Sequence, residues 1–423
     1  MIANNAIPIR ACLCCVVALA CVGAGCDKPA ADRPETQAPS TSAPPSAQVA
    51  VPAEPSIPKA ASWPTYHGAA SLDGFADVSL PDALEVRWRA SLGAEVTSTP
   101  IADNERIYAA DIKGQVHAFD FGGTPLWSRA FVESMVEGRP PSEATFDAPL
   151  ALFDATLIAC SAGGTVFALD PATGETRWEI NTHIPLLGSP SFAVVQASTQ
   201  PQRRLYLIDQ SQGSLHALDF DTGKEVWKSE AIARCDGSPV ANAEVAVFGS
   251  CAAALHFFST LDGKLIREVD VGADCEIAGG IALVDGSVYS GSRCGKFVQV
   301  NARTGAIDWA NTNCEGEALE TPAVSDTTVA FTANDGYVYA LERASGALKW
   351  RAKVGHTPSS PVLAQNKLLV SVRGQLFMLA LDDGRTMWSY EVSDEITSPA
   401  LAGNLIVVGC DDGSGVAFGP KGS

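Results

Sequence analysis

A glycine and a tryptophan four residues apart recur along this chain and decide what it can fold into. The segments are Gly123-Thr-Pro-Leu-Trp127, Gly174-Glu-Thr-Arg-Trp178, Gly223-Lys-Glu-Val-Trp227, Gly305-Ala-Ile-Asp-Trp309, Gly346-Ala-Leu-Lys-Trp350 and Gly384-Arg-Thr-Met-Trp388. Gly263-Lys-Leu-Ile-Arg267 keeps the glycine but carries arginine, and Trp88 precedes them all without its glycine. The eight positions lie 38 to 51 residues apart. A second glycine stands ten residues upstream of the first, at Gly164, Gly213, Gly295, Gly336 and Gly374. Between the two glycines runs an alternating apolar strand such as Gly164-Thr-Val-Phe-Ala-Leu-Asp170, and a further short strand precedes it, such as Leu368-Leu-Val-Ser-Val372. Each unit opens near a proline, as at Pro190, Pro239, Pro322 and Pro361. Four short strands joined by Gly and Asp turns make one unit. Such a sheet cannot cover its own apolar faces, so copies must stack around an axis. The pattern predicts an all-β chain, an eight-bladed β-propeller of four-stranded antiparallel blades.

The closure is also legible. The last unit, Pro399 to Pro420, supplies three strands and no Gly-x-x-x-Trp strand. The first Trp strand, Leu84 to Leu92, arrives with no strands before it. Pairing them predicts that the N-terminal strand completes the last blade, which removes two exposed sheet edges. The propeller then spans residues 84–420.

The residues ahead of it read as an address and a leash. Arg10 is the only charge before an apolar stretch from Ala11 to Gly25, too short to span a bilayer comfortably. Residues 1–26 are expected to be a signal peptide, cut either near Ala24 or at Cys26. Residues 27–60 are nearly all Ala, Pro, Ser, Thr, Glu and Gln, a composition that cannot offset chain entropy by burial, so a disordered tether is expected. Residues 61–83 form a lead-in to the propeller. With Lys+Arg 29 against Asp+Glu 48 the net charge is −19, which argues against clamping nucleic-acid phosphates.

Ala-Leu-Asp-x-x-Thr-Gly-x-x-x-Trp at 168–178, and again at 217–227, resembles the PQQ-type (pyrrolo-quinoline quinone repeat) β-propeller family. Trp63-Pro64 with Gly68 is similar to the lead-in of exported members. The resemblance implies that Trp88, Trp127, Trp178, Trp227, Trp309, Trp350 and Trp388 dock each blade on its neighbour, with Arg267 marking a weaker joint. Val22-Gly23-Ala24-Gly25-Cys26 resembles a bacterial lipobox, implying acylation of Cys26 and a membrane anchor. Asp27 resembles an inner-membrane retention signal, so the inner and the outer membrane both stay open. Quinoprotein dehydrogenases of this family hold PQQ and a metal in the central funnel, usually beside a disulfide between adjacent cysteines; the only adjacent pair here is Cys14-Cys15, inside the signal. Length, lipobox, tether and blade count are instead similar to the BamB-like kind, the lipid-anchored, cofactor-free propellers of outer-membrane protein assembly. No cofactor is expected, with PQQ and calcium as the rival.

Cysteine spacing offers staples. Cys235 and Cys251 are centred on residue 243, and Cys275 and Cys294 between 284 and 285, both near expected hairpin turns. Residues equidistant from a turn face each other, so each pair is a candidate disulfide. The competing pairing joins Cys251 to Cys275 and Cys294 to Cys314 across blades.

Loops that enter the blades share one face with the turns between second and third strands. That face collects Glu133, Glu137, Asp236, Asp274, Glu276, Glu315, Glu317, Glu320, Asp335, Asp394, Asp411 and Asp412, with few basic residues. A solvated rim and a focused potential that attracts a basic partner or a cation both fit. The insertion from Val132 to Ala148 extends this face and is the preferred partner contact. No nucleophile, base and electrophile converge in the sequence. The expectation is a non-enzymatic, monomeric, lipid-anchored periplasmic propeller that binds protein partners, against a quinone- or metal-dependent oxidoreductase or a glycan-binding propeller.

Overall fold

The computed structural model describes residues 62–133, 142–197 and 200–421. Cys26, the signal, the tether and Glu137 lie outside the described residues. Every regular element described is a strand, and the strands form eight antiparallel four-stranded blades. Blade 4 shows the order from inside to outside: Val240–Ala241, Val245–Ser250, Ala254–Ser259 and Leu265–Asp270. The second and third strands are covered on both faces by neighbouring blades, so they are mostly apolar and mostly buried; all of Thr328–Thr332 is buried. Outer strands such as Leu348–Lys353 turn one side to water and alternate. The last blade is closed by Leu84–Ser91 pairing with Ser414–Pro420, with Trp88 opposite Ala417.

Each outer strand carries the same irregularity. One residue is inserted into the ladder immediately before the tryptophan position, as between Thr176 and Trp178 or Val86 and Trp88, in all eight blades. A β-bulge re-aims the side chain that follows it. Here it swings the indole out of the pleat and onto the next blade. The bulged residue itself faces solvent, which places Leu126, Val226 and Ile266 on the surface.

The docking is uniform at six joints. Trp88, Trp127, Trp178, Trp227, Trp309 and Trp350 each donate the indole N–H to a backbone carbonyl of the next blade, at 2.9–3.3 Å. Their rings lie over Gly123, Gly174, Gly223, Gly263, Gly346 and Gly384, where any Cβ would strike the indole. These glycines also hold φ between +68° and +83°, so both space and backbone demand glycine. At the Arg267 joint the guanidinium stands 6.0 Å from the ring centre of Phe257, and the side chain covers Gly305. Trp388 differs: the third and outer strands of the blade it faces, Ser414–Pro420 and Leu84–Ser91, are not joined by a glycine turn, and it meets Phe418 edge-on, ring centres 5.6 Å apart.

A disulfide joins Cys275 to Cys294, whose Cα atoms are 4.7 Å apart. Cys235 and Cys251 are not bonded, nor does either cross-blade alternative form. The cause is register. Arg293 N–H bonds Glu276 O at 2.9 Å, and Cys275 and Cys294 flank that contact symmetrically. In the preceding blade Cys251 itself bonds Arg234 O at 2.8 Å, so Cys235 sits one residue out of step. Its side chain therefore alternates into the apolar interior with Tyr206 and Phe248, while Cys251 is half-buried at the surface.

Candidate functional site

The central channel is crossed by the lead-in segment. Trp63 N–H bonds Ala102 O at 2.8 Å in blade 1, and Pro64 O accepts from Leu152 in blade 2 at 2.7 Å. Ser71, Asp73 and Gly74 carbonyls accept from Leu283, Val324 and Leu363 of blades 5, 6 and 7 at 2.7–2.9 Å. Phe75–Ala76 then adds a parallel strand to Val362–Ala364. An innermost propeller strand has an unpaired edge facing the axis, and this segment satisfies that edge on five blades in turn.

His67 pins the crossing. Its ring nitrogens lie 3.0 Å from Leu72 O and 2.9 Å from Pro361 O. Burial pushes its pKa down against the opposing pull of those carbonyls. Gly74 packs against the Cε1 corner of the imidazole at φ +58°, where a Cβ would collide with the ring.

Above this floor a cup of about 320 Å³ opens between the loops that enter the blades. Tyr66 forms its base, with its hydroxyl hydrogen-bonded to Thr321 Oγ1. Gly237 and Gly279 let the loops of successive blades pack backbone on backbone, and Gly280 makes room for the Thr321 side chain, so the wall presents much main chain. Glu320 projects into the wall and accepts the Ser360 hydroxyl at 2.8 Å. Burial raises its pKa, and the Ser360 hydrogen bonds only partly oppose this. Burial likewise lifts the Tyr66 hydroxyl to about 12. Two acids, Asp236 and Glu320, line the cup, and among the described residues no Lys, Arg or His does. That lining does not suit PQQ, a polyanionic quinone that needs cationic partners. Among the described residues no group of three or more His, Cys, Asp or Glu is placed to hold a metal. A larger cleft of about 510 Å³ lies outside the ring between blades 1 and 2, against Arg129, Glu133 and Glu179.

The acidic rim is more structured than a count of charges suggests. Blades 4 to 6 interleave acids with arginines: Arg234 with Asp236 at 2.8 Å, Arg293 with both Glu276 (3.2 Å) and Glu317 (3.6 Å), and Arg351 with Glu315 at 3.2 Å. Asp412 meets Arg89 at 3.0 Å, and Asp411 accepts the Ser393 hydroxyl at 2.6 Å. Asp335 accepts the Tyr339 hydroxyl and anchors its own turn. Glu133 accepts Ser161 and Thr165 hydroxyls at 3.0 and 2.8 Å, tying the start of the long insertion to blade 2. Asp274 and Asp394 stand exposed. The rim is thus a mosaic with excess negative charge. His117, His216 and His256 sit buried at their repeated strand position, each facing an acid: Asp111, Glu225 and Glu268.

Tyr66, Gln210 and Ser360 of the cup were not singled out by the sequence. The lead-in signal Trp63-Pro64 was visible, but its passage through the axis depends on backbone pairing that no side-chain pattern encodes.

A family model described as outer membrane protein assembly factor BamB matches residues 80–264 and 211–409. The chain is 25% identical to the BamB of Yersinia pestis over 190 residues, covering 43% of this chain and 40% of that one. It is 24% identical to the BamB of Shewanella oneidensis over 343 residues, covering 78% and 77%. Among solved structures, BamB from Moraxella catarrhalis superposes with a TM-score of 0.65 at 18% identity, covering 80% of this chain and all of that one. Quinohemoprotein alcohol dehydrogenase from Comamonas testosteroni superposes with a TM-score of 0.66 at 13% identity, covering 86% and 81%, so the shared fold alone separates neither kind. The match of the family model to most of the propeller does: this chain belongs to the PQQ-repeat β-propeller family of the outer membrane protein assembly factor BamB.

Proposed function

We propose that this chain is a non-enzymatic scaffold of the cell envelope that binds protein partners in outer-membrane protein assembly, held to a membrane through a lipid on Cys26. The observation that carries the reading is the crossed channel. A quinoprotein needs an open funnel with cationic groups for its cofactor, whereas residues 63–76 cross the axis here and the cup left above them is acidic. What stays available is the loop face, where a rigid ring displays an arginine-laced acidic mosaic. Such a surface steers a partner with a basic patch and fixes its orientation, more than it adds raw affinity. The tether, residues 27–60, gives the propeller reach from the membrane.

The test is co-purification of the detergent-solubilised, full-length protein from crosslinked envelopes. Recovery of outer-membrane assembly components, and loss of membrane association in Cys26→Ser, is the expected result. A Cys26→Ser protein that stays membrane-bound refutes the anchor. Recovery of no assembly component refutes the scaffold.

A further inference from the structure

The cup on the axis has a chemistry of its own. It is enclosed below by Tyr66 and around by the entering loops, and about 320 Å³ is at the small end of ligand sites. Its polar groups are biased towards acceptors. Gln210 spends its amide N–H on the carbonyls of Asp236 and Gly237, at 3.1 and 3.4 Å, which leaves its amide oxygen as an acceptor. Glu320 has the Ser360 hydroxyl on one oxygen, and among the described residues no Lys, Arg or His pairs with it. Asp236 already holds Arg234 outside the cup. Glu320 is therefore a half-buried carboxyl whose partners, both from Ser360, are uncharged, an arrangement that carries a desolvation cost for the carboxylate until a cation arrives.

We propose that the cup is a receptor for a single guanidinium or ammonium group, with Glu320 as its counter-ion and Gln210 and Tyr66 as flanking acceptors. A planar guanidinium offers five N–H donors to such a set, which makes an arginine-like group the better fit. The same chemistry arrives on a basic loop of a protein partner or as a free amine. Only the first source rests on the scaffold reading. Burial disfavours the charged form of Glu320 in the empty cup and entry of a cation favours it, so binding shifts the group towards proton release.

The experiment is titration calorimetry on the full-length protein with two probes, agmatine and a short glycine-rich peptide bearing one arginine, each in two buffers of different ionisation enthalpy. Saturable binding with proton release is expected, weakened at least about tenfold in Glu320→Gln and unchanged in Asp308→Asn, an exposed acid on the outer strand Ile307–Asn311 away from the cup and the rim. Tighter binding of the peptide assigns the cup to a partner's side chain, and tighter binding of agmatine assigns it to a free amine. Equal binding by wild type and Glu320→Gln, binding without proton release, or no binding overturns the proposal. Ser360→Ala, which keeps the carboxylate and removes its hydroxyl partner, serves if Glu320→Gln fails to fold; it should bind at least as tightly as wild type, and weaker binding also overturns the proposal. Loss of the cup with envelope co-purification intact leaves the scaffold standing, and the converse leaves the cup.

Discussion

Arg267 lies across Gly305 in the place where six other joints lay an indole across the next blade's glycine. The bulge before it, at Ile266, is the same as elsewhere, so the backbone is already set to aim a tryptophan. Its Nε is buried without a partner, and the guanidinium sits over Phe257 at the outer limit of cation–π contact. Arg267→Trp should therefore fill the joint and reach the Ala302 carbonyl. A gain of about 1 kcal/mol, on the order of 1–3 °C in thermal midpoint, is expected. A lower midpoint would show that this joint is built around the arginine.

The opposite change should be costly where the ring is nearly buried. Trp309 leaves a cavity against Gly346 and an unpaired carbonyl on Arg343 when truncated. Trp309→Ala should lose about 3–5 kcal/mol in denaturant unfolding, provided the ring of blades unfolds cooperatively. Arg267→Ala should lose much less.

The cysteines divide by register. Replacing Cys275 and Cys294 with serine should cost about 3 kcal/mol, the effect of a loop of this length. Of the five free cysteines described, four are buried and Cys251 alone is half-buried. Alkylation of the native protein, read by peptide mass mapping, should modify Cys251 first even though burial raises its pKa. Native Cys235, pushed up to about 12 by burial, should stay unmodified.

The fold was legible because its determinants repeat. Trp and Gly keep a fixed spacing within units that recur every 38 to 51 residues, and the missing strand of the last unit revealed the closure at Leu84. The site was less legible. Cys235 and Cys251 have nearly the spacing of a cross-strand pair, yet a one-residue register difference sends their side chains to opposite sides. The acids on the rim were visible as a set, but Arg234 and Arg293 come from neighbouring loops and Arg351 from the outer strand Leu348–Lys353, and only the folded ring sets them between the acids. The cup is built from backbone carbonyls, glycines and Tyr66, none of which carries a sequence signal of its own.

Glu320 also links the cup to pH. Its folded pKa is raised, so its contribution to stability is complete below the unfolded carboxylate pKa and is lost as pH rises through the folded value. Glu320→Gln should leave the thermal midpoint little changed near pH 4 and raise it relative to wild type near pH 8. Melting curves at the two pH values decide this, and a Glu320→Gln protein that is less stable at pH 8 would contradict it.

The crossing segment should depend on Gly74. Adding a Cβ there strains φ +58° and displaces His67, whose ring ties the segment to Pro361. Gly74→Ala should expose residues near 63–76 to limited proteolysis while leaving the blades protected. Unchanged cleavage would mean that the backbone pairs hold the segment without the histidine.

The central claim is that the arginine-laced acidic face binds a protein partner in the envelope. Its most direct measurement compares envelope crosslinking of wild type with a variant carrying Asp236→Lys, Glu276→Lys and Glu317→Lys, both verified as folded by circular dichroism. The account predicts that an outer-membrane assembly component is captured by the wild type and lost by the variant. Equal capture by both proteins would contradict it.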